Sequence, residues 1–228
     1  MFEILLIDLD DTILDFKMQE DVAIQKTLRA VGIEPTPEIC NRYSQINKEH
    51  WKRMEKGEID RNQVLYGRFE VLFAELGIDG DAKRTALTYM TNLSDGHYFL
   101  PGAEDALAKL SQKYHLFLAS NGTATVQNKR LDSAGIRRYF EGIFISQDIG
   151  VNKPDKGFFD YCFARIPNFD PKKAMIVGDS PSSDMLGGQN AGIATCWVNP
   201  TGRAYSRQPL PDYEIRSLAQ LESLLETL

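Results

Sequence analysis

Four groups of residues in this chain have types and spacings suited to handling a phosphate or a hard cation. The first is Asp8-Leu9-Asp10-Asp11-Thr12, directly after the apolar run Ile4 to Ile7. In extended chain, alternate side chains point the same way, so Asp8 and Asp10 face one site while Leu9 packs inward. The second is Gly178-Asp179-Ser180-Pro181-Ser182-Ser183-Asp184, after Met175 to Val177. Asp179 and Asp184 on a glycine-led loop suit Mg²⁺, which prefers oxygen ligands and takes few protein carboxylates. The others are Ser120-Asn121-Gly122 and Lys153-Pro154. A hydroxyl with loop amides can hold phosphate oxygens, and a lysine adds a point charge. Each group also has a plainer use, since acids and hydroxyls cap turns and helices and a lone lysine is usually solvated. Their common position at the ends of apolar runs sets them apart.

Those runs define the elements that must position the groups. Ile4 to Ile7, Leu116 to Ala119, Ile143 to Ile145, Met175 to Val177 and Ile193 to Val198 are continuously hydrophobic, the pattern of strands buried on both faces. Helical patterns lie between them, such as Ala106, Leu107 and Leu110, or Phe158, Phe159 and Cys162. The alternation predicts an α/β fold with a parallel, Rossmann-like sheet, whose ligands bind beyond the carboxyl ends of the strands. Residues 15–96 have a different texture, with no strand-like run. Helix signals there end at Gly32, begin at Thr36-Pro37, run from Asp60 to Gly77, and resume near Asp81. The expected organisation is an α/β core of residues 1–14 and 97–228, interrupted by an all-helical cap at 15–96 that the connection from the first strand would place over Asp8. At the far end, Tyr213 to Ile215 predicts a last strand. Ser217 with Gln220 predicts a capping box for a helix carrying Leu218, Leu221, Leu224, Leu225 and Leu228.

Composition narrows the classes. A net charge of -6 over 228 residues argues against a surface for nucleic acid or anionic lipid, so the positive charge that an anionic substrate needs must be local. Cys40, Cys162 and Cys196 are widely spaced among apolar residues and predict reduced thiols. The chain reaches Asp8 too soon for a signal peptide, and no apolar run approaches the ~20 residues of a membrane span. A cytoplasmic protein is expected, a monomer or weak homo-oligomer without polymeric nucleic acid or membrane partners. His50, His97 and His115 show no metal-ligand spacing.

Taken in order, the four groups resemble the motifs of the haloacid dehalogenase-like superfamily. Asp8-Leu9-Asp10-Asp11-Thr12 is similar to its DxDxT, Ser120 to its second-motif hydroxyl, Lys153 to its third-motif lysine, and Gly178-Asp179-Ser180 with Asp184 to its acidic fourth motif. The resemblance implies a Mg²⁺-dependent phosphomonoester hydrolase. In it Asp8 would be the nucleophile that becomes an aspartyl-phosphate, and Asp10 the acid and base, its backbone carbonyl binding metal. Asp8, Asp10, Asp179 and Asp184 would form the metal site, with Asp179 a direct ligand and Asp184 either a ligand or a partner of the ligands. Ser120, Asn121, Gly122 and Lys153 would hold the phosphate, with Lys153 also catalytic. The stretches Ser183 to Asn199, Leu118 to Gly122 and Gly150 to Pro154 look most like the house-cleaning pyrimidine 5'-nucleotidases, which implies a pyrimidine nucleotide as substrate. Phe16 and Lys17 follow the first motif closely enough to overhang the site and set specificity, and Trp51, Tyr66 or Tyr89 offers a stacking surface for a base. The alternatives are a phosphatase of another small metabolite such as phosphoglycolate or a sugar phosphate, a phosphosugar mutase, a haloacid dehalogenase, and a non-catalytic phospho-acceptor. A dehalogenase has no use for an acid at Asp10 or for a metal pair, and a receiver-type phospho-acceptor is a shorter chain without the helical insert.

Overall fold

In the computed structural model of the chain, which describes residues 1–205 and 208–228, the strand-forming runs assemble into one six-stranded parallel sheet. The strands are β1 (Ile4–Ile7), β2 (His115–Ser120), β3 (Gly142–Ile145), β4 (Ala174–Gly178), β5 (Ala194–Val198) and β6 (Tyr213–Ile215), in the order β3-β2-β1-β4-β5-β6. β1 is central, with Ile7 paired to Leu118 of β2 and to Val177 of β4. The in-register pairing brings the carboxyl ends of three strands to one place, at Ser120 and just before Asp8 and Asp179.

Both faces of the sheet are covered, as the unbroken hydrophobicity of the strands requires. Leu5, Ile7, Leu116, Leu118, Met175 and Val177 pack with residues of α5 (Ala103–Leu110) and α10 (Leu221–Leu225). Ile4, Leu6, Phe117, Ala119 and Ile176 pack with Phe158, Phe159 and Cys162 of α8 (Lys156–Phe163) on the other side. The two sets alternate along each strand, which is the period of a pleated backbone. Helices α6 (Ala124–Ser133), α7 (Ser146–Ile149) and α9 (Leu186–Ala191) complete the crossovers.

The chain divides into two compact units, Met1–Phe16 with His97–Leu228, and Lys17–Gly96. Where it leaves and re-enters the first, the two passes run side by side: Asp15 N–H donates to the Tyr98 carbonyl at 2.8 Å and Leu100 N–H to that of Ile13 at 3.0 Å. The second unit is built from α1 (Phe16–Ala30, shared at its first residue), α2 (Pro37–Glu55), α3 (Arg61–Leu76) and α4 (Ala82–Ser94). Their starts obey local rules. Thr36 caps α2 ahead of Pro37, Asp60 and Gln63 make a reciprocal capping box on α3, and Asp81 caps α4. The core of this unit is aromatic, with Tyr43, Phe69 and Tyr89 fully buried and their ring centroids 5.1–5.7 Å apart.

The chain ends differently from expectation. Ser217 makes no side-chain cap bond, and Gln220 Oε1 instead accepts from Arg216 N–H at 2.7 Å. A 3-10 turn, Leu218–Gln220, therefore precedes the short α10, because the Gln220 side chain is spent one residue upstream of the cap. Leu218, Leu221 and Leu225 are buried in the sheet-covering layer, whereas Leu228 is exposed. The three cysteines are buried free thiols. No helix among the described residues is long and apolar enough to cross a membrane.

Candidate active site

Asp8 leaves β1 with its N–H bonded to the Val177 carbonyl at 2.9 Å, so the ladder extends one residue beyond the strand and delivers the carboxylate at the carboxyl end of the sheet. Asp11 follows in a left-handed conformation, with φ 56°, and turns the chain sharply. Its Oδ1 accepts from Phe16 N–H at 3.0 Å, at the first residue of α1. The acidic loop after β4 is shaped by a π turn, Pro181–Met185. Ser180 caps it, accepting from Ser183 N–H at 3.2 Å, while Ser180 N–H donates to Asp184 Oδ2 at 3.1 Å. Asp184 thus points back across the loop instead of out to solvent.

Lys153 joins these loops. Its Nζ lies 2.8 Å from Asp8 Oδ1, 2.6 Å from Asp184 Oδ1 and 2.5 Å from the Ala119 carbonyl, so all three ammonium donors are used. The side chain is only 1% exposed. The Asn121 amide holds the lysine's backbone, donating to the Lys153 carbonyl and accepting from its N–H, each at 2.9 Å.

The carboxylates of Asp8, Asp179 and Asp184 come together, with one ligand atom from each lying within 4.8 Å of the others. Counted as ionised, they carry three negative charges against the one positive charge of Lys153, and a divalent cation cancels the remaining two. The donors are all hard oxygens, which fits Mg²⁺ better than a soft metal. The protein groups alone are frustrated. Burial, which Lys153 offsets and the neighbouring Asp184 and Asp10 reinforce, pushes Asp8 from an ordinary 3.8 up to about 8. Burial and the charges of Asp184, Asp8 and Asp11 likewise raise Asp179 well above the usual carboxylate range. Burial opposes the charge on Lys153, but Asp184 and Asp8 outweigh it and raise its pKa. Two further residues grip the Asp179 backbone: Trp197 Nε1 and Arg203 Nη2 donate to its carbonyl at 2.9 and 3.0 Å.

The Asp10 carboxylate is not part of this cluster. Its Oδ2 accepts from Gln127 Nε2 at 2.7 Å and its Oδ1 from Arg130 Nη1 at 2.5 Å, both residues lying on α6. Its carboxylate is thus held by α6, outside the acidic cluster. Ser120 Oγ accepts from Gly122 N–H at 3.2 Å and from Gln127 Nε2 at 2.8 Å. With those acceptor positions taken, the hydroxyl hydrogen is what Ser120 has to offer. Asn121 and Gly122 thus act on Lys153 and Ser120 through these bonds. Phe16 lies with its ring centroid 5.9 Å from Arg130 Cζ, while Lys17 is an exposed residue of the helical unit. Tyr89 is core; Trp51 and Tyr66 are half-buried and carry Arg61 and Lys83 over their rings.

Gln127 and Arg130 escaped the sequence reading, as did Trp197 and Arg203. Polar residues one turn apart on a helix read as a solvated face, yet Gln127 and Arg130 are 1% and 0% exposed. The only local hint is their place in the first helix after Ser120-Asn121-Gly122.

The sequence model of the haloacid dehalogenase-like hydrolases matches residues 5–198. Similar proteins include the HAD-hydrolase YfnB of Bacillus subtilis (strain 168), 38% identical over 98% of this chain and 95% of that one. The pyrimidine 5'-nucleotidase PynA of Streptococcus pneumoniae is 35% identical (99% and 95% covered), and the pyrimidine 5'-nucleotidase YjjG of Escherichia coli (strain K12) is 32% identical (96% and 95%). The crystal structure of YfnB bound to magnesium superposes with a TM-score of 0.94 over 98% of each chain.

Proposed function

Since this chain belongs to the haloacid dehalogenase-like hydrolases, we propose that it is a Mg²⁺-dependent phosphomonoesterase that works through an aspartyl-phosphate on Asp8 and prefers pyrimidine nucleoside monophosphates. The observation that carries the chemistry is the convergence of Asp8, Asp179 and Asp184 at the ends of adjacent strands, with Asp8 and Asp184 paired to one buried lysine. The two pyrimidine 5'-nucleotidases among the relatives support the substrate class.

Lys153 holds Asp8 Oδ1, which leaves Oδ2 to attack phosphorus in line with the departing oxygen. The P–O bond to the nucleoside breaks as the Asp8–phosphorus bond forms, and Asp10 gives its proton to the leaving oxygen. Asp10 then takes a proton from the water that attacks the phosphorus of the aspartyl-phosphate. Inorganic phosphate departs and Asp8 is restored. Ser120 would hold a non-bridging oxygen, whereas Lys153, expected to bind the phosphate, has its three donors committed to Asp8, Asp184 and the Ala119 carbonyl and would contribute its charge. Asp8, Asp179, Asp184 and the Asp10 carbonyl would hold Mg²⁺, which when bound supplies the positive charge that keeps Asp8 ionised and offsets charge on the phosphoryl group.

Phosphate release from a panel of pyrimidine and purine monophosphates, phosphoglycolate and hexose phosphates tests this reading. It should be strongest with the pyrimidine nucleotides, vanish with chelator, and vanish in Asp8→Asn. Activity that survives either treatment overturns the mechanism. Pyrimidine nucleotides turned over no faster than phosphoglycolate would remove the substrate assignment and leave the class of reaction standing.

A further inference from the structure

We infer that Arg130 and Gln127 are positioning residues that fix the Asp10 carboxylate for proton transfer to the leaving oxygen and couple it to the phosphate-holding hydroxyl of Ser120. The inference rests on the acid role proposed above for Asp10.

The two residues lie three apart on α6, hence on one face of the helix. Each takes one oxygen of Asp10: Arg130 Nη1 donates to Oδ1 at 2.5 Å and Gln127 Nε2 to Oδ2 at 2.7 Å. They also bind each other, Arg130 Nη1 donating to Gln127 Oε1 at 3.0 Å, and the Gln127 amide reaches Ser120 Oγ at 2.8 Å. Two-point attachment fixes the plane of the carboxylate, yet each oxygen keeps a lone pair for chemistry.

Burial makes a purely structural role a poor explanation. Arg130 has no exposed surface, and its Nε and Nη2 are buried without a hydrogen-bond partner among the described residues. A guanidinium so poorly satisfied is an expensive way to fill space beside the Phe16 ring, since a buried charge needs a partner and its spare donors need acceptors. Its carboxylate partner is Asp10. The free donors also set the chemistry apart from that of Lys153, whose ammonium donors are all used by Asp8, Asp184 and the Ala119 carbonyl.

The test exploits leaving-group chemistry. p-Nitrophenolate departs readily without a proton, whereas phenoxide and a nucleoside alkoxide need one. The kcat/KM of the Mg²⁺-loaded enzyme, which excludes the later dephosphorylation step, is measured with p-nitrophenyl phosphate, phenyl phosphate and uridine 5'-monophosphate. Arg130→Met should lose about 100-fold on the latter two and less than about 3-fold on p-nitrophenyl phosphate, as loss of general-acid positioning requires. Gln127→Met should rank the substrates the same way with a smaller loss, and Arg130→Lys should recover part of the deficit. If Arg130→Met is insoluble, Gln127→Met and Arg130→Lys decide by the same ranking. Asp10→Asn is the reference. If it discriminates between the leaving groups but the Arg130 and Gln127 variants lose activity equally on all three substrates, or lose none, the positioning role is overturned. If Asp10→Asn itself shows no leaving-group dependence, the acid role of Asp10 fails and takes this inference with it.

Discussion

Replacing Gly178 by alanine would strike the charge cluster without touching a charged residue. A Cβ at this position would lie only 2.8 Å from the Cβ of Asp184, and its carboxylate is closer still. Ordinary carbon contacts need about 3.5–4.0 Å, so Asp184 must retreat by roughly 1 Å. Asp184 has little room, being 1% exposed and held by Lys153 at 2.6 Å and Ser180 N–H at 3.1 Å. A 1 Å retreat lengthens the lysine contact past about 3.5 Å, where it no longer counts as a hydrogen bond. Separating a buried ion pair typically costs about 3–5 kcal/mol, and overpacking adds about 1–3 kcal/mol. Protonation of the displaced carboxylate limits the total, so we expect a loss of about 4 kcal/mol, a large share of the ~5–15 kcal/mol that holds a typical domain folded. Urea unfolding in chelator reads the stability, and calorimetric titration reads Mg²⁺ affinity, which should fall about 10- to 100-fold. Gly188→Ala is the control. Its Cβ would meet Thr195 Cγ2 at 2.7 Å beneath the sheet, a steric cost with no carboxylate involved. It should lose stability and keep Mg²⁺ affinity. A Gly178→Ala protein with less than about 1 kcal/mol of destabilisation and unchanged Mg²⁺ affinity would refute the packing of Asp184 against Gly178.

Two further outcomes follow from the same geometry. Asp8 is raised by burial to about 8, so between the ordinary 3.8 and about 8 the folded chelated protein holds a proton that the unfolded chain has released. Asp8 alone should therefore lower stability as pH rises through that window by up to about 1.4 kcal/mol per pH unit, the raised Asp179 adding to the slope, and saturating Mg²⁺ should flatten it; a chelated protein whose melting temperature rises from pH 6 to pH 8 would contradict this. Trp197→Phe removes the indole donor to the Asp179 carbonyl at 2.9 Å from a fully buried site, so it should cost about 1–3 kcal/mol and weaken Mg²⁺ binding. Unchanged Mg²⁺ affinity in a calorimetric titration would show that the indole does not hold Asp179 in place.

Local signals in the sequence were enough for the sheet, the helical insert and the list of acids. A buried parallel strand is an unbroken apolar run, so β1 to β5 are visible as such, and caps such as Thr36, Asp60 and Asp81 act within three residues of themselves. The same locality explains one failure. Ser217 and Gln220 have the spacing of a capping box, but the Gln220 side chain takes the amide of Arg216 instead of that of Ser217. Tertiary structure alone decided how the site is divided. Asp8 and Asp10 are separated by a single residue and point to one end of the sheet, yet one joins Lys153, 145 positions away, and the other joins Arg130, 120 positions away. Which cation each carboxylate meets depends on strand order and on the burial of α6, and neither is a property of neighbouring residues. Proximity in sequence made both acids visible. Desolvation and pairing across the sheet separated them into a carboxylate of the acidic cluster paired with Lys153 and one clamped by Arg130 and Gln127.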